Sequence, residues 1–223
     1  MIFEKKQKIG IYTVTFPHKK GSYAETYRVK NEEGKILFLK LISYAHLSSY
    51  QYTPDGKIIE IEIAKLLSHK NLCGFIDTGT IVHGGRQYAY LVMDFISGET
   101  VAEKMAREET LTVYEAKQVA KSVLNALAFI HNQERPVIHN EVNLQNTLVD
   151  LSGDLADVKL IDFGHARFLD LPPSKDDLKN LNPFYLAPER FNGICSVQSD
   201  LFSVGVMLYQ MIEVSDVNKN VNK

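Results

Sequence analysis

The chain has 223 residues, 45% of them hydrophobic and 23% charged, which gives it material for one or two domains with cores of their own and excludes disorder as the main state. A formal charge of -2 gives no electrostatic reason to expect nucleic acid or an anionic membrane as partner, because those surfaces select strongly basic faces, and Lys5, Lys6, Lys8, Lys19 and Lys20 are too dispersed to make one. Cys73 and Cys195 lie far apart and in no metal-binding spacing, so they read as buried free thiols rather than a disulfide framework or a zinc site. Met1-Ile2-Phe3 runs straight into charged residues with no signal sequence visible, and the apolar stretch 201–212 is too short to span a bilayer. The expectation is a cytoplasmic protein.

Residues 9–16 and 23–29 read as strands flanking Pro17-His18-Lys19-Lys20-Gly21-Ser22, a hairpin. Residues 36–42 form a strand with apolar residues on both faces, and Lys40 lies on the side of Ile36, Phe38 and Ile42. A cation there is costly unless paired. The plain alternative is an edge-strand lysine whose ammonium reaches water along its own stem. After a polar insertion over 43–56 the spacing predicts a helix over 57–68. Glu60, Ile63, Ala64 and Leu67 fall on one stripe, so Glu60 begins the apolar face whereas Glu62 lies off it. Glu60 is therefore the candidate partner of Lys40, against the alternative of a solvated acid favoured by the helix dipole.

Residues 74–81 and 87–94 make a second hairpin around His83-Gly84-Gly85, and after residue 95 the pattern changes from strands to helices. A helix is predicted over 112–132, capped by Thr112 with Glu115 three residues on, and with Ala116, Val119, Ala120, Val123, Leu124 and Leu127 as its buried stripe. It leads into the stretch from His139 to Gly164. Two apolar pieces there, around Thr147-Leu148-Val149 and Val158-Lys159-Leu160-Ile161, are joined by the turn Leu151-Ser152-Gly153-Asp154. If they pair, Glu141, Asn146 and Asp162 come together, and such a group can hold a metal ion and activate a hydroxyl; taken alone, the stretch also reads as a plain hairpin with polar ends. A polar segment with Pro172-Pro173 follows, then Asn182-Pro183-Phe184-Tyr185-Leu186-Ala187-Pro188-Glu189. The last predicted helix, over 197–213, carries Leu201, Phe202, Val204, Val206, Met207, Leu208 and Met211 around most of its circumference, the pattern of a helix buried on all sides.

In this order the motifs resemble those of protein kinases over nearly the whole chain. His139 to Asn146 followed by Asp162-Phe163-Gly164 is similar to H-R-D-x-x-x-x-N and D-F-G. Asn140 stands where that family has Arg, Glu141 where it has the catalytic Asp, and Asn143 where many serine/threonine kinases have Lys. Ala187-Pro188-Glu189 resembles the A-P-E end of the activation segment, and Asp200 to Gly205 resembles D-x-W-S-x-G with Phe202 for Trp. Of the glycine-rich loop G-x-G-x-x-G-x-V only Gly21 is retained, with Lys19, Ala24 and Thr26 at the other defining positions.

The resemblance implies an α+β, two-lobed protein-kinase-like fold, with a β-rich N-lobe over 1–94 and a mainly helical C-lobe over 95–223 that lacks the last helices. The chain is then a fragment, or a partner domain or subunit covers the 197–213 helix. It also implies an ATP- and Mg-dependent phosphotransferase acting on protein hydroxyls, of the serine/threonine type, with activity reduced because Glu141 carries its carboxylate one methylene beyond the place of the family's Asp. By position, Lys40 with Glu60 orients ATP, Gly21 belongs to the loop over the phosphates, Met93 is the gatekeeper, and the backbone of Asp94 and Ile96 binds adenine. Asn146 and Asp162 hold Mg²⁺, Glu141 accepts or orients the substrate hydroxyl, Asn143 takes the place of a γ-phosphate contact, and His139 supports the loop. With Asn140 in place of the Arg that clamps a phosphate, activity is expected not to depend on phosphorylation between Gly164 and Ala187. The competing implication is a pseudokinase, a nucleotide-binding scaffold or regulatory module. Glu141, Asn143 and the poor glycine loop favour it, while both metal positions and the Lys–Glu pair favour an enzyme.

Overall fold

Strict alternation of side chains across a pleated strand lets one sheet serve two apolar layers, and the first 96 residues use it that way. In the computed structural model, which describes residues 1–108, 111–150, 157–172, 178 and 181–212, the chain forms two compact units. Residues 1–68 and 73–96 make one; residues 69–72 and 97–223 make the other. The first contains strands β1 (Lys8–Ile9), β2 (Tyr12–Lys20), β3 (Ala24–Lys30) and β4 (Ile36–Ser43), helix α1 (Ile59–Ala64), and strands β5 (Phe75–His83) and β6 (Arg86–Asp94). The six strands form one antiparallel sheet in the order β1-β2-β3-β4-β6-β5. Leu37, Leu39, Leu41 and Val92 face a cluster with Phe3, Tyr12 and Tyr27, whereas Ile42 and Leu91 face Ile58, Ile61 and Ala64. A fully buried side chain such as Leu39 contributes about 1.5–3 kcal/mol relative to an exposed one.

The first hairpin is longer and tighter than its sequence predicts. β2 stays paired through Pro17 to Lys20, which leaves only residues 21–23 as the turn. Pro17 is tolerated because β1 pairs only with Tyr12 and Thr13, so the rest of β2 is an edge, and because shifts of register flank it. Helix α1 is shorter than the predicted 57–68. Ile59, Ile61 and Ile63 are stiff β-branched residues with low helix propensity, and the chain leaves the helix through the tighter bonds Leu66 N–H to Ile63 O (2.9 Å) and Leu67 N–H to Ala64 O (3.1 Å). The β5–β6 turn fits its sequence: Gly84 and Gly85 have φ of 56° and 73°, the pair of left-handed residues that a two-residue hairpin turn requires.

The second unit contains β7 (Glu99–Thr100), α2 (Val101–Glu108), α3 (Val113–His131), β8 (Val137–Ile138), β9 (Thr147–Asp150), β10 (Asp157–Leu160), β11 (Arg167–Phe168) and α4 (Val197–Ile212). Thr112 and Glu115 close the expected capping box at the start of α3. The buried stripe of α3 includes Ala126 and Ile130, while Leu124, expected within it, is 41% exposed at its edge. The pairing of β9 with β10 forms as expected, and β7 adds a third strand to them. Residues 69–72 belong here because Leu72 bridges Leu160, the Asn71 amide donates to Val158 O (2.8 Å) and His69 stacks on Phe129.

Helix α4 is not buried on all sides among the described residues. Ser199, Asp200, Ser203, Val204, Met207 and Met211 are buried, whereas Leu201, Phe202, Tyr209 and Ile212 are exposed. Cys73 and Cys195 are not joined in a disulfide, as expected, and are half-buried rather than buried. Among the described residues no helix is long and apolar enough to cross a membrane. The expected turn at 151–154, Pro173, Glu213 and the tail 215–223 lie outside the described residues.

Candidate functional site

In the first unit the chemistry gathers on β4 and α1. Lys40 and Glu60 are each 6% exposed, and Lys40 Nζ donates to Glu60 Oε1 at 2.6 Å. The edge-strand reading of Lys40 therefore fails, since β4 is central and the ammonium is paired. Glu62 lies off this face, as the stripe predicts, and pairs instead with Lys65 at 2.6 Å. A third member was not legible in the sequence. Lys40 Nζ also donates to the Tyr23 hydroxyl (3.1 Å), that hydroxyl donates to Glu60 Oε2 (3.3 Å), and the ammonium lies 5.1 Å from the Tyr23 ring centroid. The signal for Tyr23 was an aromatic residue at the tip of a hairpin, where solvation alone gives it no purpose.

Two backbone groups expected at the nucleotide are engaged within the unit. The Gly21 N–H, expected among the donors over the phosphates, donates to Ala24 O at 2.8 Å and so closes the hairpin turn itself. The Asp94 N–H donates to Gly74 O (2.9 Å) and its carbonyl accepts from the Cys73 thiol (3.2 Å), so an adenine contact from this residue is confined to the second lone pair of the carbonyl. Met93 is half-buried against the layer that holds Ile42 and Leu91. Ile96 is half-buried just beyond the end of β6.

In the second unit a short loop ties the backbone of Glu141 to the Asn146 side chain and the backbone of Asn146 to the residue before Asp162. Ile161 N–H donates to Asn146 O (2.9 Å), which sets Asp162 beside Asn146. The Asn146 side-chain amide donates to Glu141 O (2.9 Å); a carbonyl only accepts, so this contact fixes the amide orientation and leaves Oδ1 as the acceptor. Asp162 is exposed, has φ of 60°, and accepts from Gly164 N–H at 3.2 Å. Asn140, in the same loop, has φ of 65°. A left-handed residue other than glycine costs about 1–3 kcal/mol, which the surrounding bonds must offset.

Those bonds come from buried groups. Asp200, 1% exposed, accepts from His139 N–H and Asn140 N–H, both at 2.9 Å, and meets His131 Nε2 at 2.8 Å. His139 is fully buried and bridges the loop: Nδ1 accepts from Glu141 N–H (3.3 Å) while Nε2 faces Ile161 O (3.1 Å), an arrangement that requires the neutral ring protonated at Nε2. Burial pushes its pKa below the usual histidine range. The Asn140 amide donates to His165 O (2.9 Å) and accepts from the Cys195 thiol (3.3 Å). Asn143, expected as a catalytic contact, caps the turn that follows it. It is 4% exposed, and its Oδ1 accepts from Gln145 N–H (2.9 Å) and Asn146 N–H (2.8 Å).

Among the described residues no group of three His, Cys, Asp or Glu is placed to hold a metal ion. Asp162 and the Asn146 amide oxygen are nevertheless hard oxygen donors on adjacent backbone. They fit Mg²⁺, which takes one or two protein ligands and completes its shell with phosphate and water. The buried Lys40–Glu60 pair likewise fits a nucleotide phosphate.

Fold and side-chain arrangement define a class, and comparison with known proteins gives the same one. The family model "Protein kinase domain" matches residues 13–223, and the chain belongs to that family. It is 29% identical over 195 residues to "Cell cycle serine/threonine-protein kinase CDC5/MSD2" of Saccharomyces cerevisiae, covering 86% of this chain and 26% of that one. It is 28% identical over 238 residues to "Probable serine/threonine-protein kinase CCRP1" of Zea mays, covering 100% of this chain and 36% of that one. It is 32% identical over 152 residues to "Probable serine/threonine-protein kinase PknB" of Lactococcus lactis, covering 66% and 22%. The chain thus spans about a quarter to a third of the length of these curated relatives.

Proposed function

We propose that this chain is an ATP- and Mg²⁺-dependent phosphotransferase acting on serine or threonine hydroxyls of a protein, at a rate limited by Glu141. The observation that carries this reading is the buried Lys40–Glu60 pair. Taking two charges out of water costs several kcal/mol each, and a well-packed apolar pair often serves folding as well or better. A buried pair held at 2.6 Å between a central strand and helix α1 is accounted for by a ligand that needs the cation.

Lys40, oriented by Glu60, binds the nucleotide phosphates. Asn146 and Asp162 hold the metal, and the bond between Ile161 N–H and Asn146 O keeps them in register. Glu141 accepts the proton of the substrate hydroxyl. When bound, Mg²⁺–ATP supplies the phosphoryl group and its charge neutralisation, so the protein's contribution is positioning and electrostatics. The exposed apolar face of α4 is left for a covering protein surface.

A specific observation also favours a nucleotide-binding scaffold without transfer. Asn143 is an uncharged buried cap, so this loop position carries no cation. Melting curves with Mg²⁺–ATP, together with transfer of labelled γ-phosphate to a generic protein acceptor, separate the two. An enzyme shows both a Mg²⁺-dependent stabilisation and transfer, each lost in Asp162→Ala. A scaffold shows stabilisation alone, and neither response contradicts both readings.

A further inference from the structure

We propose that Tyr23 is a built-in competitor for the nucleotide: its side chain caps the Lys40–Glu60 pair and must swing away before a phosphate binds Lys40. The inference rests on the reading of Lys40 as a phosphate-binding residue. Tyr23 sits in the turn between β2 and β3, and its carbonyl accepts from Ser43 N–H (2.9 Å) at the end of β4. From there its hydroxyl reaches across to accept from the Lys40 ammonium at 3.1 Å. A phosphate oxygen plays that same acceptor role in the proposed complex. The ring adds a cation–π contact at 5.1 Å, and the hydroxyl proton goes to the second oxygen of Glu60 (3.3 Å).

Tyr23, Lys40 and Glu60 thus close a ring of hydrogen bonds in which the tyrosine stands in for the ligand. The rest of the hairpin agrees. Pairing of β2 up to Lys20 shortens the turn, and Gly21 N–H closes that turn on Ala24 O instead of remaining a donor for an anion. Apparent affinity for a ligand falls by the fraction of molecules in which its site is open. The capped form is therefore a standing brake on nucleotide binding, released by displacing a single aromatic side chain.

Calorimetric titration of the whole chain with Mg²⁺–ADP tests this without turnover, using wild type, Tyr23→Phe, Tyr23→Ala and Lys40→Ala. Tyr23→Phe keeps the ring and the packing and removes only the hydroxyl, so it preserves the fold. Because a hydrogen bond to a charged group is lost from the capped state, ADP is expected to bind about tenfold more tightly to Tyr23→Phe, and more tightly still to Tyr23→Ala. Lys40→Ala is expected to lose binding. Lys40-dependent binding that is unchanged or weaker in both Tyr23 variants overturns the competitor while leaving the phosphate reading of Lys40 intact. Absence of Lys40-dependent binding in wild type and in both Tyr23 variants overturns the two together.

Discussion

The two units make their candidate sites from opposite materials. On β4 and α1 the first places full charges out of water, Lys40 against Glu60, and closes the group with a phenol. The loop from His139 to Asn146 in the second is anchored from outside by the buried Asp200 carboxylate and tied within itself by neutral amides, with Asn140, Asn143 and Asn146 each hydrogen-bonded to backbone. Buried charge is hard to justify by stability, whereas amides at caps and tight turns are ordinary folding devices. The first arrangement therefore points to a ligand. In the second the loop's shape is fixed by packing and hydrogen bonds, and the proposed chemistry falls to the carboxylates of Glu141 and Asp162.

The largest effect should come from unbalancing the buried pair. Lys40→Ala strands the Glu60 carboxylate and is expected to lower unfolding free energy in urea by about 3–5 kcal/mol, whereas Lys40→Met with Glu60→Leu should be close to neutral or stabilising. Both should fail to bind Mg²⁺–ADP. A double variant as unstable as the single one would make the pair a structural feature and erase the contrast between the units.

A smaller effect sharpens the other side. Asn143→Ala removes an acceptor for two backbone N–H groups and should cost about 1–2 kcal/mol. Asn143→Lys, which installs the residue many kinases carry there, should be at least as destabilising at a position only 4% exposed, and should not raise the transfer rate. A rate gain would show that the position reaches substrate after all.

The smallest effect is in pH. His139 is buried neutral with its pKa depressed, so below about 6.5 the unfolded chain takes up a proton that the folded chain refuses. Its contribution is complete above that value and is lost as pH falls towards the depressed folded pKa, so stability rises with pH across the window. Melting temperature should decline between pH 6.5 and pH 5, and His139→Gln should flatten that decline. An unchanged slope in the variant would assign the acid sensitivity elsewhere.

How far the sequence foretold this molecule depends on the kind of signal. Hydrophobic period, the Gly84-Gly85 turn and the Thr112–Glu115 cap are local, and they gave the second hairpin and α3 with little error. Glu60 was distinguishable from Glu62 because only one of them lies on the apolar stripe. Contacts between distant residues were another matter. Nothing near Tyr23 announces that its hydroxyl meets Lys40, because the meeting depends on how far β2 stays paired past Pro17. Asn140 read as a missing charge and Asn143 as a missing cation. Only the folded loop shows that their amides are ties to His165, Cys195 and the next turn of backbone. Asp200, which holds the backbone of His139 and Asn140, lies 60 residues beyond Asn140, too far for any local pattern to reveal the anchor.

Under the proposed function Glu141 is the working proton acceptor of a loop held by Asp200, His139 and its own amides. Its backbone is held at both ends, by His139 through the N–H and by Asn146 through the carbonyl, so Glu141→Gln removes the charge without releasing the loop. The direct measurement is the rate of γ-phosphate transfer from Mg²⁺–ATP in wild type and Glu141→Gln, with melting shifts recorded on the same samples. Loss of a positioned base typically costs about 10²–10⁴-fold. A loss of at least about a hundredfold is expected in Glu141→Gln, with the nucleotide-induced melting shift unchanged. Equal transfer by the two proteins would contradict it.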